Sequence, residues 1–128
     1  MEMKFNPVGW FEIPVDDMER AMKFYEAILG YKLDLQPEME GMLMAWFPME
    51  RGLEGATGAL VKHEMCKPNP TGTVVYFNSP SGNLSNELSK AEEIGAQVLV
   101  PKKDIGEHGF IAMLKDSEGN TIALHSME

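Results

Sequence analysis

The chain repeats itself, and that repetition limits what it can fold into more than any single motif does. "FEIPV" (11–15) reads as a strand, and Met18, Ala21, Met22, Tyr25, Ile28 and Leu29 then recur at helical spacing before Gly30 supplies a left-handed stop. Asp16 or Asp17 can cap this helix, and Asp16 with Glu19 has the spacing of a capping box. "YKLDL" (31–35), "MLMAWF" (42–47) and "ALVKH" (59–63) read as three further strands. The same order returns in the second half. "TVVYF" (73–77) is a strand, Leu84, Leu88, Ala91 and Ile94 form a helical stripe that stops at Gly95, and "AQVLV" (96–100), "GFIAML" (109–114) and "TIALH" (121–125) are strands. Gly30 and Gly95 lie 65 residues apart, an offset that sets Phe11 on Tyr76. Near the module ends an offset of 62 sets Leu60-Val61-Lys62-His63 on Ile122-Ala123-Leu124-His125.

The repeats therefore cover about 5–63 and 73–127, joined by the Pro- and Gly-rich linker "EMCKPNPTG" at 64–72. One such unit leaves a face of its small sheet uncovered. Two units side by side curve their sheets around a shared cleft, with the helices outside. The expected fold is α+β: a single domain (1–128) of two tandem β-α-β-β-β modules, forming a curved mixed sheet around a cleft lined by alternate strand residues.

Composition narrows the function classes. A net charge of −9 argues against nucleic acid, whose phosphates call for a basic surface. The longest apolar run, "MLMAWF", is too short to span a bilayer, and no export signal is visible in "MEMKFNPVGW". Cys66 is the one cysteine, which suits a reducing, cytoplasmic setting and reads as an incidental loop thiol. Eleven methionines suit either an adaptable pocket or an irregular core.

With "EIPVDDMERAMKFYEAILGYKL" in one half and "IGEHGFIAMLKDSEGNTIALHS" in the other, the chain resembles the vicinal oxygen chelate superfamily: glyoxalase I, bleomycin- and fosfomycin-resistance proteins and extradiol dioxygenases. The resemblance covers nearly the whole chain, and it implies the same tandem fold and a homodimer. In the metalloenzymes of that group, ligands occupy matched strand positions in the two repeats. Those positions fall here on Trp10, on Val75 (or Val74 if the register slips by one), on Val61 and on Ala123. None of these side chains offers a lone pair to a divalent ion, so the resemblance carries the scaffold without its usual metal set.

The remaining polar candidates are few. Strand alternation puts Trp10 and Glu12 on one face. If that face lines the cleft, Glu12 is a candidate catalytic base, a replacement metal ligand or the counter-charge for a cationic compound; the plainer alternative is an ion-paired or exposed acid. His63 and His125 are equivalent by the repeat and, with Glu12, make a chemically reasonable but relocated metal set; a pocket-rim or surface place is the alternative. His108, in "IGEHGF", reads as a solvated turn residue. Trp46, Phe47, Phe77 and Phe110 can supply pocket walls, and such rings equally serve a core.

Two functions fit. The first is a glyoxalase/bleomycin-resistance-like binding protein without the usual metal site, holding a small organic molecule, cationic or aromatic, in a pocket of Trp10, Glu12, Trp46, His63, Phe77, Phe110 and His125. The second is a metal-dependent, glyoxalase I-like lyase or isomerase with a relocated metal and Glu12 as base.

Overall fold

A computed structural model describes residues 2–128. The chain folds as β1 (Phe11–Pro14), α1 (Met18–Leu29), β2 (Asp34–Leu35), β3 (Leu43–Trp46) and β4 (Gly58–Lys62), followed by β5 (Tyr76–Asn78), α2 (Leu84–Glu93), β6 (Val98–Asp104), β7 (Phe110–Lys115) and β8 (Thr121–Ser126). This is the β-α-β-β-β order, twice. A single 3-10 turn at Gly106–His108 precedes β7, and β6 runs four residues beyond its expected end at Val100. The strand expected at 31–35 shrinks to its last two residues.

Local chemistry sets the helix ends. Asp17, rather than Asp16, caps α1: its Oδ1 accepts from the Arg20 backbone N–H at 3.0 Å. Gly30 ends the helix at φ 76°, a left-handed geometry that costs a side-chain-bearing residue more than glycine. Asn83 caps α2 in the same way through Ser85. In α2 the expected stripe is modified, because Ile94 is exposed while Glu87 is buried and accepts hydrogen bonds from Ser79 and Ser81.

The strands form two four-stranded mixed sheets, ordered β1-β4-β3-β2 and β5-β8-β7-β6. In each, the first strand pairs parallel with the last, and the other pairs are antiparallel. Pairing fixes how the repeats superpose. Pro14 pairs with Val61 and Tyr76 with Ala123, so Pro14 corresponds to Tyr76, an offset of 62. The offset of 65 that set Phe11 on Tyr76 therefore fails in the strands. An odd mismatch turns a side chain to the opposite face, and Phe11 packs on the core whereas Tyr76 is exposed. The difference arises because the link between β5 and α2 is longer than that between β1 and α1.

The helices cover one face of the sheets, and the core lies between. Phe11, Tyr25, Phe47 and Phe77 form a continuous ring cluster with centroids 5.6 to 5.7 Å apart, drawn from both modules. Each such pair adds about 0.5–1.5 kcal/mol beyond area burial. The modules are also locked by polar contacts. Glu118, in the turn between β7 and β8, accepts the backbone N–H of Asp16 at 2.9 Å and of Asp17 at 2.7 Å. Its carboxylate thus sits at the positive end of α1 and also binds Arg20. Tyr25 donates to Asp116 at 2.6 Å, and Asn120 Nδ2 donates to the Pro14 carbonyl at 2.8 Å. Among the described residues every buried side-chain N or O atom has a partner, and no helix is long and apolar enough to cross a membrane.

Candidate functional site

Alternation along β1 sends Ile13 and Val15 into the core, which turns Trp10, Glu12 and Pro14 to the concave side away from the helices. Cross-strand partners share a face, so the register extends this wall. One row is Glu12, Ala59 and Trp46; the next is Pro14, Val61 and Met44. On the second module the concave rows are Tyr76, Ala123 and Met113, which matches the Pro14 row, and then Asn78, His125 and Ile111. Met44 and Met113 thus hold equivalent places on the two walls, while Met18 is buried in the core. Methionines thus stand both on the concave side of the sheets and in the core.

β1 and β5 are neighbouring sheet edges with no ladder between them. The end of β1 is tied to the start of β8 through Asn120 and Pro14, and Gly55, near the start of β1, approaches Asn78 at the end of β5. The two edges therefore run antiparallel, with Phe11 and Phe77 meeting 5.7 Å apart beneath the gap. Glu12 and Tyr76, each next in sequence to one of those rings, face each other's strand on the concave side. A groove of about 660 Å³ lies here, bordered by Trp10, Glu12, Val74, Tyr76, Asn78 and the loop residues Gly55 and Ala56. Its size suits a small organic ligand.

The polar geometry of the groove is simple. Trp10 Nε1–H donates to Glu12 Oε2 at 3.2 Å, and the Trp10 ring meets Trp46 edge-on, with centroids 6.1 Å apart and planes at 84°. Trp10 is 38% exposed and Tyr76 51%, so two aromatic surfaces remain open to a ligand in the groove; Trp46, expected in the pocket, stands outside the groove's border and backs the Trp10 ring. Glu12 Oε1, the Tyr76 hydroxyl and the Asn78 amide make no hydrogen bond to another described residue.

The loop over 48–57 closes one end. Thr57 Oγ1 donates to the Pro48 carbonyl at 2.9 Å, tying the loop base. Gly58 has no room for a side chain, because a Cβ there would run into the Phe11 carbonyl and ring. At Gly55, where φ is +92°, a Cβ would stand 3.4 Å from Asn78 Nδ2, so a loop of the first module reaches the wall of the second.

Several expected pocket residues lie elsewhere. Phe77 borders the gap but is 9% exposed, its ring packed against Phe11, Tyr25 and Phe47. Phe47 is likewise core. Phe110 shares the helix side of β7 with Ala112 and Leu114 and carries Lys102 Nζ 4.6 Å above its ring. His63 stands just past β4 in a tight turn, where its Nδ1 accepts from the Met65 N–H at 3.1 Å. His125 is on the concave face by register, but its Nε2–H donates to the His108 carbonyl at 2.6 Å. Each is occupied locally, and neither borders the groove.

The positions where the resemblance implies metal ligands lie on the same concave side. Val74, rather than Val75, turns to the concave side, since Val75 packs on the core. Trp10, Val74, Val61 and Ala123 are all concave and contain no metal-binding atom, the indole N–H being a donor already used by Glu12. Among the described residues no three His, Cys, Asp or Glu side chains gather as a metal set, so Glu12, His63 and His125 do not converge. The residues present do not fit the superfamily's metal.

Tyr76 and Asn78 escaped sequence reading because the 65-residue offset put Tyr76 on the wrong face. The 62-residue offset of the last strands, carried back to β1 and β5, would have found both.

Residues 8–45 match the family model for the bleomycin resistance protein-like N-terminal region. A comparison with curated proteins returns no significant match. Among solved structures, a glyoxylase/bleomycin resistance protein/dioxygenase domain from Frankia sp. EAN1pec superposes with a TM-score of 0.75 at 15% identity, covering 96% of this chain and 98% of that one. TnmS3, an antibiotic binding protein from Streptomyces sp. CB03234, superposes with a TM-score of 0.66 at 26% identity, covering 98% of each chain. Glyoxalase I from Zea mays, as a V278E mutant, gives 0.71 at 19% identity over 94% of this chain and 46% of that one.

Proposed function

We propose that this chain, which belongs to the vicinal oxygen chelate superfamily, is a metal-independent binding protein for a flat organic molecule. The observation that carries this reading is the makeup of the concave wall. Where metalloenzymes of the group place ligands, this chain has a tryptophan and aliphatic side chains, and next to them an open cluster of Trp10, Trp46 and Glu12. Such a wall stacks on a π-surface, and Glu12 accepts a proton-donating or cationic group from the ligand. The likeness to an antibiotic binding protein at 26% identity supports a small-molecule ligand. Stacking on the Trp10 indole face contributes about 0.5–1.5 kcal/mol of ring–ring attraction beyond the area it buries. The reading includes a homodimer, checked by sedimentation equilibrium.

The relocated-metal lyase has no support from donor placement, because Glu12, His63 and His125 lie apart. One experiment separates the two readings. The protein is stripped with chelator, and bound Zn, Ni, Mn and Fe are measured along with melting temperature after each is added back. Binding of aromatic compounds that persists in chelator, and weakens in Glu12→Gln or Trp10→Leu, supports the proposal. Stoichiometric metal uptake lost in a His63→Ala, His125→Ala double variant overturns it.

A further inference from the structure

The groove has a second wall, and its chemistry narrows the ligand. This inference rests on the binding reading above. On the first wall one oxygen of Glu12 is already engaged by the Trp10 indole, which leaves Oε1 as an acceptor. On the facing edge strand the Tyr76 hydroxyl and the Asn78 amide are uncommitted, and both can donate. Acceptor and donors thus face one another across the β1–β5 gap, floored by the Phe11–Phe77 contact. The second wall brings no further anion to the groove, and a simple organic cation would leave the Tyr76 and Asn78 donors unused. A flat molecule with a donor and an acceptor side by side on one edge uses them all.

We infer that the groove recognises a planar, neutral ligand with an N–H or O–H next to a carbonyl, as in a lactam or a hydroxy-ketone, its donor on Glu12 Oε1 and its carbonyl on Tyr76. The aromatic face of Trp10, backed edge-on by Trp46, holds the plane, and the paired edge sets its direction in the groove. Asn78 flanks the carbonyl site next to the Gly55 loop, which closes that end.

Three tricyclic probes of nearly one shape test this by calorimetric titration: phenanthridin-6(5H)-one, its N-methyl derivative and N-methylphenanthridinium. The lactam is expected to bind best, with the N-methyl lactam about fivefold to tenfold weaker for the loss of one hydrogen bond. Glu12→Ala should weaken the lactam but not its N-methyl derivative, which has no donor to lose. Tyr76→Phe should weaken both by about fivefold, because both keep the carbonyl. Tyr76 is exposed, so an unchanged melting temperature in Tyr76→Phe confirms an intact fold. Tightest binding of the cation, with no response to Tyr76→Phe, overturns the inference and leaves the binding reading standing. Failure of all three probes to bind overturns both.

Discussion

Arg20 and Glu118 meet in a two-pronged ion pair, Nε to Oε2 at 2.7 Å and Nη2 to Oε1 at 3.0 Å, across 98 residues of sequence. The pair joins the two most recognisable stretches of the chain, "VDDMER" and "DSEGN", and it is structural. Glu118 has no exposed side-chain surface and receives two backbone N–H groups from the start of α1 as well. Replacing it with Gln keeps the shape but removes the charge from five donated hydrogen bonds. Glu118→Gln should cost on the order of 2 kcal/mol in urea unfolding, with ligand affinity at the groove unchanged. Arg20→Ala should destabilise in the same direction.

The same carboxyl sets an acid limit. Burial alone would raise its pKa, but the Arg20 guanidinium, the Asp17 and Asp16 amides and the Ser117 hydroxyl outweigh that and bring it from 4.5 to about 2. A carboxyl held below its unfolded value stabilises the fold above that value and loses the contribution as pH falls toward its folded one. Melting temperature should therefore drop between about pH 4.5 and 2, and Glu118→Gln should flatten the Glu118 share of that drop. A drop of equal size in the variant would show that other carboxyls set the acid limit.

Tyr25 offers a second check on the module lock. Burial, and then the charge of Asp116, push its phenol well above the usual value. Its hydroxyl should stay protonated until the chain unfolds, so alkaline ultraviolet titration should show the Tyr25 signal only with loss of structure. Tyr25→Phe should cost about 1–2 kcal/mol, because Asp116 loses its shortest hydrogen bond but keeps Asn120.

Gly58 tests the groove floor. Its Cβ would collide with the backbone carbonyl and ring of Phe11, and backbone cannot move aside cheaply. Gly58→Ala should be destabilised by about 3 kcal/mol or more in urea unfolding, whereas Gly52→Ala, in open space at φ 87°, should cost about 1 kcal/mol for the strained backbone alone.

The architecture was legible because it rests on local chemistry repeated twice: capped helices, glycine stops and a two-residue period. The Trp10–Glu12 face was legible for the same reason, since neighbours two apart on a strand share a side whatever the rest does. What was lost depended on register between distant segments. Phe77 and Phe110 look the same in sequence as Trp46, and only pairing against Leu124 and Ser126 shows that they turn inward. His125 looked available until the loop at His108 placed a carbonyl on its ring. Tyr76 was visible in the sequence, but its face depended on a strand offset that the helices obscured.

The chain has two tryptophans, Trp10 at the groove and Trp46 packed against it on the same concave side, so intrinsic tryptophan fluorescence reports on that side of the sheets. The most direct measurement is therefore a fluorescence titration with a planar aromatic ligand in excess chelator, repeated after Zn, Ni, Mn or Fe is restored. The account predicts a saturable change in emission with one dissociation constant throughout, lost in Trp10→Leu. A response that occurs only when a divalent metal is present would contradict it.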